Sequence, residues 1–144
     1  VKLISLSLII YGTPVPQGSM RAFYKTGMRH AVITSDNKKT KPWKQEIAGA
    51  AAEAMADRKL DPIAGQPIAV SCTFFFDRPK SLRKSVLAKM TKPDLDKLLR
   101  SALDALTGTV FKDDAQVVSV VMEKRFDATP RAILTITAGD PGIA

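Results

Sequence analysis

The chain has 144 residues, 45% of them apolar and 25% charged, with 22 Lys and Arg against 14 Asp and Glu for a formal net charge of +8. At this length roughly 68–70% of the unfolded surface is buried on folding, so one domain over residues 1–144 is expected, without need of a disulfide or a structural metal. A single cysteine, Cys72, excludes an intramolecular disulfide framework, and a single histidine, His30, excludes a His-rich zinc site.

The run VKLISLSLII is short, alternates with Ser5 and Ser7 and ends in the turn YGTPVP, so it reads as a first strand over Leu3–Tyr11 and not as a signal peptide. GTPVPQGSM follows as a turn-rich connection, and RAFYKTGMRHAVIT reads as a hairpin turning near Thr26-Gly27. A helix begins near Thr40, with Pro42 in its first turn. Its apolar set Trp43, Ile47, Ala50, Ala51 and Ala54 recurs at helical spacing to about Ala56. PIAVSCTFFF puts Ile68, Val70, Cys72, Phe74 and Phe76 on one side of a strand, which makes Cys72 a small buried hydrophobe in a reducing compartment.

From Arg78 to Lys92 there are six Lys or Arg, no acidic residue and no clear periodicity, and this stretch reads as a mobile loop. A second basic cluster is Lys38 to Lys44. The second helix covers Leu95–Leu106, with Leu95, Leu98, Leu99, Ala102, Leu103 and Leu106 on one face and Thr107-Gly108 as its stop. QVVSVVMEKRF and RAILTIT, joined by DATP, read as an antiparallel pair of strands. The order β, hairpin, α, β, α, β, β predicts an α+β fold, a two-layer sandwich with a mixed β-sheet and two main helices. Two helices leave part of the sheet uncovered, and a second copy of the chain is the simple partner for it. No stretch approaches the ~20 apolar residues of a membrane span, so the expectation is a cytoplasmic protein with no membrane partner.

Five of the fourteen carboxylates fall within Pro93–Gln116 of this basic chain. Asp94 and Asp96 open the second helix, where an N-cap and a favourable helix dipole account for them without any function. Asp113 and Asp114 follow the same helix, and DD before a strand is often a turn. If Asp114 approaches Asp94 and Asp96, the carboxylates repel unless a divalent cation lies among them, and few hard oxygen ligands with room for water and phosphate suit Mg²⁺. Such a site serves phosphodiester hydrolysis. Arg100, one turn beyond Asp96, is placed to stabilise transition-state charge, or else forms an i,i+4 ladder with Asp96 and Asp104. The helix is roughly 18 Å long and Gly108–Lys112 spans at most about 17 Å. The approach is therefore tight within one subunit, and completion across a dimer stays open. No GxxxxGK(S/T) or GxGxxG occurs, so no nucleotide cofactor is expected.

The segment KPDLDKLLRSALDALTGTVFKDDAQVV resembles the signature of the RusA family of Holliday junction resolvases, close to PDLDNLxKAxxDALNG followed by DDxQV. GTPVPQGSMRAF is similar to the family's Gly-Pro-rich segment after the first strand. The resemblance implies a homodimeric, Mg²⁺-dependent endonuclease, with Mn²⁺ able to substitute, that resolves four-way DNA junctions by paired nicks in recombination and repair, in a bacterial cell, with phage or prophage origin. It implies Asp94, Asp96 and Asp114 as catalytic metal ligands and Arg100 at the place of the family's usual lysine. Lys97 stands where the family usually has Asn, adding a positive charge beside the site. Lys80, Arg83, Lys84, Lys89, Lys92 and Lys97 are the expected DNA contacts, positioning phosphates without reading sequence. A non-catalytic DNA-binding protein and a metal nuclease acting on other branched DNA are the alternatives.

Overall fold

The computed structural model of the chain describes residues 3–18, 20–23, 26–27, 29–30, 32–35 and 37–139. The elements run β1 (Ile4–Tyr11), β2 (Met20–Phe23), β3 (Val32–Ser35), α1 (Thr40–Asp57), β4 (Ile68–Phe76), α2 (Leu95–Leu106), a 3-10 turn (Asp114–Gln116), β5 (Val117–Phe126) and β6 (Arg131–Ala138). Strands β2 and β3 form a separate antiparallel hairpin, as their sequence predicts. The other four form one mixed sheet in the order β1-β6-β4-β5.

Strict alternation in β1, β4 and β6 sends one residue in two toward the helices. The registers align these positions in rows across the sheet: Leu6 with Ile136 and Val70, Leu8 with Leu134 and Cys72, Ile10 with Ala132 and Phe74. All nine are buried. Burial pushes the Cys72 thiol up to about 12. The opposite face carries Ser5, Ser7, Thr135 and Thr137 at one end and Ile9, Tyr11, Ile133 and Phe75 at the other, with the Arg131 guanidinium 4.1 Å from the Phe75 ring centre.

Both helices pack on the buried face. Trp43, Ile47, Ala51 and Met55 of α1 and Leu98, Ala102 and Leu106 of α2 fill the space between the layers. Truncating a fully buried leucine such as Leu98 to alanine costs about 2–5 kcal/mol in a core of this kind. Lys44 of α1 and Asp104 of α2 pair at 3.2 Å across the helix contact. After Gly108, whose φ of +84° favours glycine, Val110 and Phe111 insert into the core, and Ile63 exchanges backbone bonds with Val110 and Lys112 beside them.

Two expectations are corrected. Strands β5 and β6 are not paired, because β4 lies between them: β5 runs parallel to β4 and β6 antiparallel to it. The five-residue offset between the strands reads as a hairpin in sequence, yet the connection steps across β4, with Asp127 N donating to Phe76 O. The basic stretch Arg78–Lys92 is irregular but tied down along its length. Arg78 Nη2 donates to Val86 O at 2.9 Å, and Leu87–Lys89 form a short antiparallel bridge to the last residues of β5 through Phe126 N to Leu87 O and Lys89 N to Lys124 O.

Candidate active site

The first turn of α2 is built from both sides. Asp94 occupies the N-cap position with extended backbone, φ −67° and ψ 139°, but its carboxylate makes no capping bond. Asp96 follows in the first turn, where the helix dipole favours a negative charge. The approach to the helix is fixed by Lys124 of β5, whose Nζ donates to Thr91 O at 2.7 Å and to Pro93 O at 2.8 Å. The Pro-rich segment after β1 is held on the other flank: Gln17 N donates to Lys97 O at 2.9 Å and the buried Ser101 Oγ donates to Val15 O at 2.7 Å. Between this segment and the end of the basic loop lies an open cleft of about 640 Å³, with Asp94 on its wall.

The paired aspartates after α2 have separate roles. The Asp113 carboxylate accepts from Ala115 N at 2.9 Å, and Gln116 Oε1 accepts from Asp113 N at 2.9 Å, a reciprocal cap that starts the 3-10 turn. Gln116 Nε2 in turn donates to the Ile63 and Gln66 carbonyls. Asp113 is thereby committed to holding the turn. The exposed carboxylates of Asp94, Asp96 and Asp114 take part in no hydrogen bond or ion pair among the described residues.

These three do not meet within one protomer. Asp114 directly precedes β5, whereas Lys124, seven strand residues beyond Val117, is the residue that touches the approach to Asp94. At ~3.3 Å per residue those two strand positions are about 23 Å apart. Among the described residues no group of three acidic, histidine or cysteine side chains could hold a metal ion. A single protomer therefore does not supply the ligand set that Mg²⁺ would require.

The basic residues also divide. Lys89, Lys92 and Lys97 line the cleft with Asp94, and Lys39, from the cluster before α1, lines it too. Lys80, Arg83 and Lys84 are exposed on the loop and outside the cleft lining. Lys89 lies 5.2 Å from the Phe76 ring centre and 5.4 Å from that of Phe126. Desolvation by burial, and then the charge of Lys124, hold its pKa below the usual lysine value. Arg100 is exposed, and the ladder expected with Asp96 and Asp104 is not formed, because Asp104 reaches across to Lys44. The Arg100 guanidinium thus has no ion-pair partner among the described residues.

Lys124 and Gln17 carried no local signal: a lysine in a strand and a glutamine in a turn become part of this site only through sheet pairing and loop packing. Lys39 belonged to a visible basic cluster, but its place opposite the acidic helix start depends on how α1 packs.

A free acidic helix start beside a cation-lined cleft agrees with what comparison with known proteins finds. The sequence model of the family Endodeoxyribonuclease RusA matches residues 12–137. This chain belongs to the RusA family. Its similarity to the uncharacterized protein YqaN of Bacillus subtilis (strain 168) is 29% identity over 141 residues, covering 91% of this chain and 94% of that protein. RusA membership makes DNA phosphodiester cleavage the activity to be explained by these residues. Among the described residues no helix is long and apolar enough to cross a membrane.

Proposed function

We propose that this RusA-family chain is a divalent-metal-dependent endodeoxyribonuclease that resolves four-way DNA junctions by paired nicks, and that it works as a homodimer with each active site completed by both copies. The reading is carried by the free carboxylates of Asp94 and Asp96 at the start of α2, next to a cleft lined by Lys89, Lys92 and Lys97. The cleft cations bind the DNA backbone, Asp94 and Asp96 hold Mg²⁺ or Mn²⁺ together with Asp114 of the second copy, and Arg100 offsets charge on the attacked phosphate. Such an ion supplies Lewis-acid polarisation and a more acidic water.

Strand β5 supports the two-copy arrangement. It is a sheet edge, and Leu87–Lys89 cover only its final residues, leaving Val117–Glu123 without an outer partner among the described residues. Val118 and Val121 on this stretch are 71% and 69% exposed. An exposed apolar edge of this kind favours pairing with another strand. Antiparallel pairing of two β5 strands about Val120, the middle of the free stretch, sets residue 114 opposite the partner's Phe126, six positions either side of the two-fold axis. That end of the partner's strand carries the lysine that fixes its own Asp94 approach. The separation that keeps Asp114 from Asp94 in one protomer is the offset that brings them together in two. A two-fold pair of sites also suits the symmetry of a branched substrate.

The test is nicking of synthetic four-way junction, fork and duplex DNA at one salt concentration, with Mg²⁺, with Mn²⁺ and with chelator. The wild-type chain nicks the junction in step on opposing strands only with a divalent ion, and Asp96→Asn binds it without nicking. A wild-type chain that binds the junction and leaves all three substrates intact with either ion is a non-catalytic DNA-binding protein; one that prefers the fork acts on other branched DNA.

A further inference from the structure

The cleft beside Asp94 is more than a charged surface. Its volume of about 640 Å³ lies within the ~300–1,000 Å³ of small-molecule sites. Thr13, Pro14 and Phe76 bring apolar surface to it, and Lys89, Lys92 and Lys97 bring positive charge. Gln17 also lines it, and the Gln17 Oε1 atom is buried with no hydrogen-bond partner. A buried acceptor left unpaired is costly, and a donor from a ligand removes that cost once the amide turns toward the cleft. Apolar walls, an unsatisfied amide and several ammonium groups are the complement of one nucleotide: base faces, a base edge and a phosphate. A stacked duplex cannot present a base to such a recess. A branch point can, because its bases are the least expensive to unstack.

We propose that the cleft receives a single unstacked nucleotide adjoining the phosphate to be cut, with its base against Phe76 and the proline-rich wall and its base edge read by Gln17. The acceptor at Gln17 selects bases that offer an exocyclic amino group (adenine, cytosine or guanine) over thymine. Lys89 and Lys92 hold the flanking phosphates, and Asp94 on the same wall sets the distance from the selected base to the cutting site. The proposal rests on the endonuclease reading and adds to it a base preference and the residue that sets it.

Two measurements test it. Four-way junctions carrying 2-aminopurine, itself amino-bearing, at each position around the branch are bound by the Asp96→Asn chain without metal, so that no cutting occurs. Fluorescence rises at one position and not at its neighbours, and the rise is lost in a chain that also carries Thr13→Trp, which fills the cleft from an exposed loop position; an unchanged melting curve confirms its fold. Separately, the cutting of junctions differing only in the branch-point base is compared for wild type, Gln17→Ala and Gln17→Glu. Wild type disfavours thymine by about fivefold or more, the gain expected of one good hydrogen bond. Gln17→Ala flattens that preference, and Gln17→Glu, which keeps an acceptor, retains it. No brightening at any position, brightening that survives Thr13→Trp, or a preference unchanged in Gln17→Ala overturns the proposal while wild-type cutting stands. Absence of cutting in the wild type overturns the endonuclease reading instead, and the fluorescence experiment still reports whether a base enters the cleft.

Discussion

Lys124 Nζ lies 2.8 Å from the carbonyl oxygen of Pro93, so an ammonium group near the end of an edge strand holds the residue that precedes the first acidic side chain of α2. Its second bond, 2.7 Å to Thr91 O, fixes the turn before it. Strand and helix start are thereby one unit, and the position of Asp94 depends on a residue thirty positions away in sequence.

Replacing Lys124 with methionine keeps the apolar stem and removes both bonds. We expect about 1–2 kcal/mol of lost stability in urea unfolding, the lower part of the range for charge-assisted bonds because one of the two is exposed. Junction nicking should fall further than this loss of stability accounts for, since Asp94 is no longer held. Stability and nicking equal to wild type would mean that these bonds hold nothing in place.

Ser101 ties the opposite flank. It is fully buried, and its Oγ donates to Val15 O and also lies 3.1 Å from Leu98 O. Ser101→Ala leaves the Val15 carbonyl without this donor, at an expected cost of about 1–3 kcal/mol. Hydrogen exchange of the Gln17 amide, which donates to Lys97 O in the same contact, should speed up in that variant by more than the global loss of stability predicts.

How much of this was legible in sequence follows from how local each signal is. The bounds of α2 were readable because Leu95–Leu106 alternates at helical period and ends at Thr107-Gly108, and β4 was readable because each second residue from Ile68 to Phe76 is apolar. The partners of a strand are not local. A short connection suggested that β5 pairs with β6, but inserting β4 buries its alternate face between two neighbours, and that preference is invisible in the DATP linker. The site divides in the same way. Asp94, Asp96 and Asp114 stood out as carboxylates in a basic chain, and the tight reach back from Gly108 foretold their separation within a protomer. Which member of the Asp113-Asp114 pair is free was not visible, because it depends on Gln116 closing the turn over Asp113.

Acid sensitivity should localise at the end of β5. Arg131 hydrogen-bonds the Asp127 carboxylate, which together with backbone N–H donors from Thr129 and Ala128 holds its pKa below the usual aspartate value. The folded-state pKa is the lower one, so the contribution to stability is present above the ordinary aspartate range and fades as pH falls through the folded value. Asp127→Asn should therefore be less stable than wild type at about pH 6, with the gap narrowing steadily below about pH 4. Because the carboxylate is exposed, the effect should be small and weakened by added salt. A gap that widens toward low pH would contradict the assignment.

The last prediction concerns the ownership of the active site. Each site of the proposed homodimer takes Asp94 and Asp96 from one copy and Asp114 from the other. Asp96→Asn and Asp114→Asn chains are each inactive alone. Mixed and allowed to exchange, they form heterodimers in which one site carries both substitutions and the other carries none. Nicking therefore returns, on one strand per junction, in the mixture only. If each site were built within a single copy, every site in the mixture would keep one substitution and nothing would return. The same experiment locates the interface. Val118→Lys with Val121→Lys sets like charges on the free stretch of β5 and should yield monomers in sedimentation, with nicking lost and the thermal transition of the protomer retained. Dimers that survive this double substitution would move the interface away from β5, and restored nicking in the mixed aspartate variants would still establish that two copies share each site.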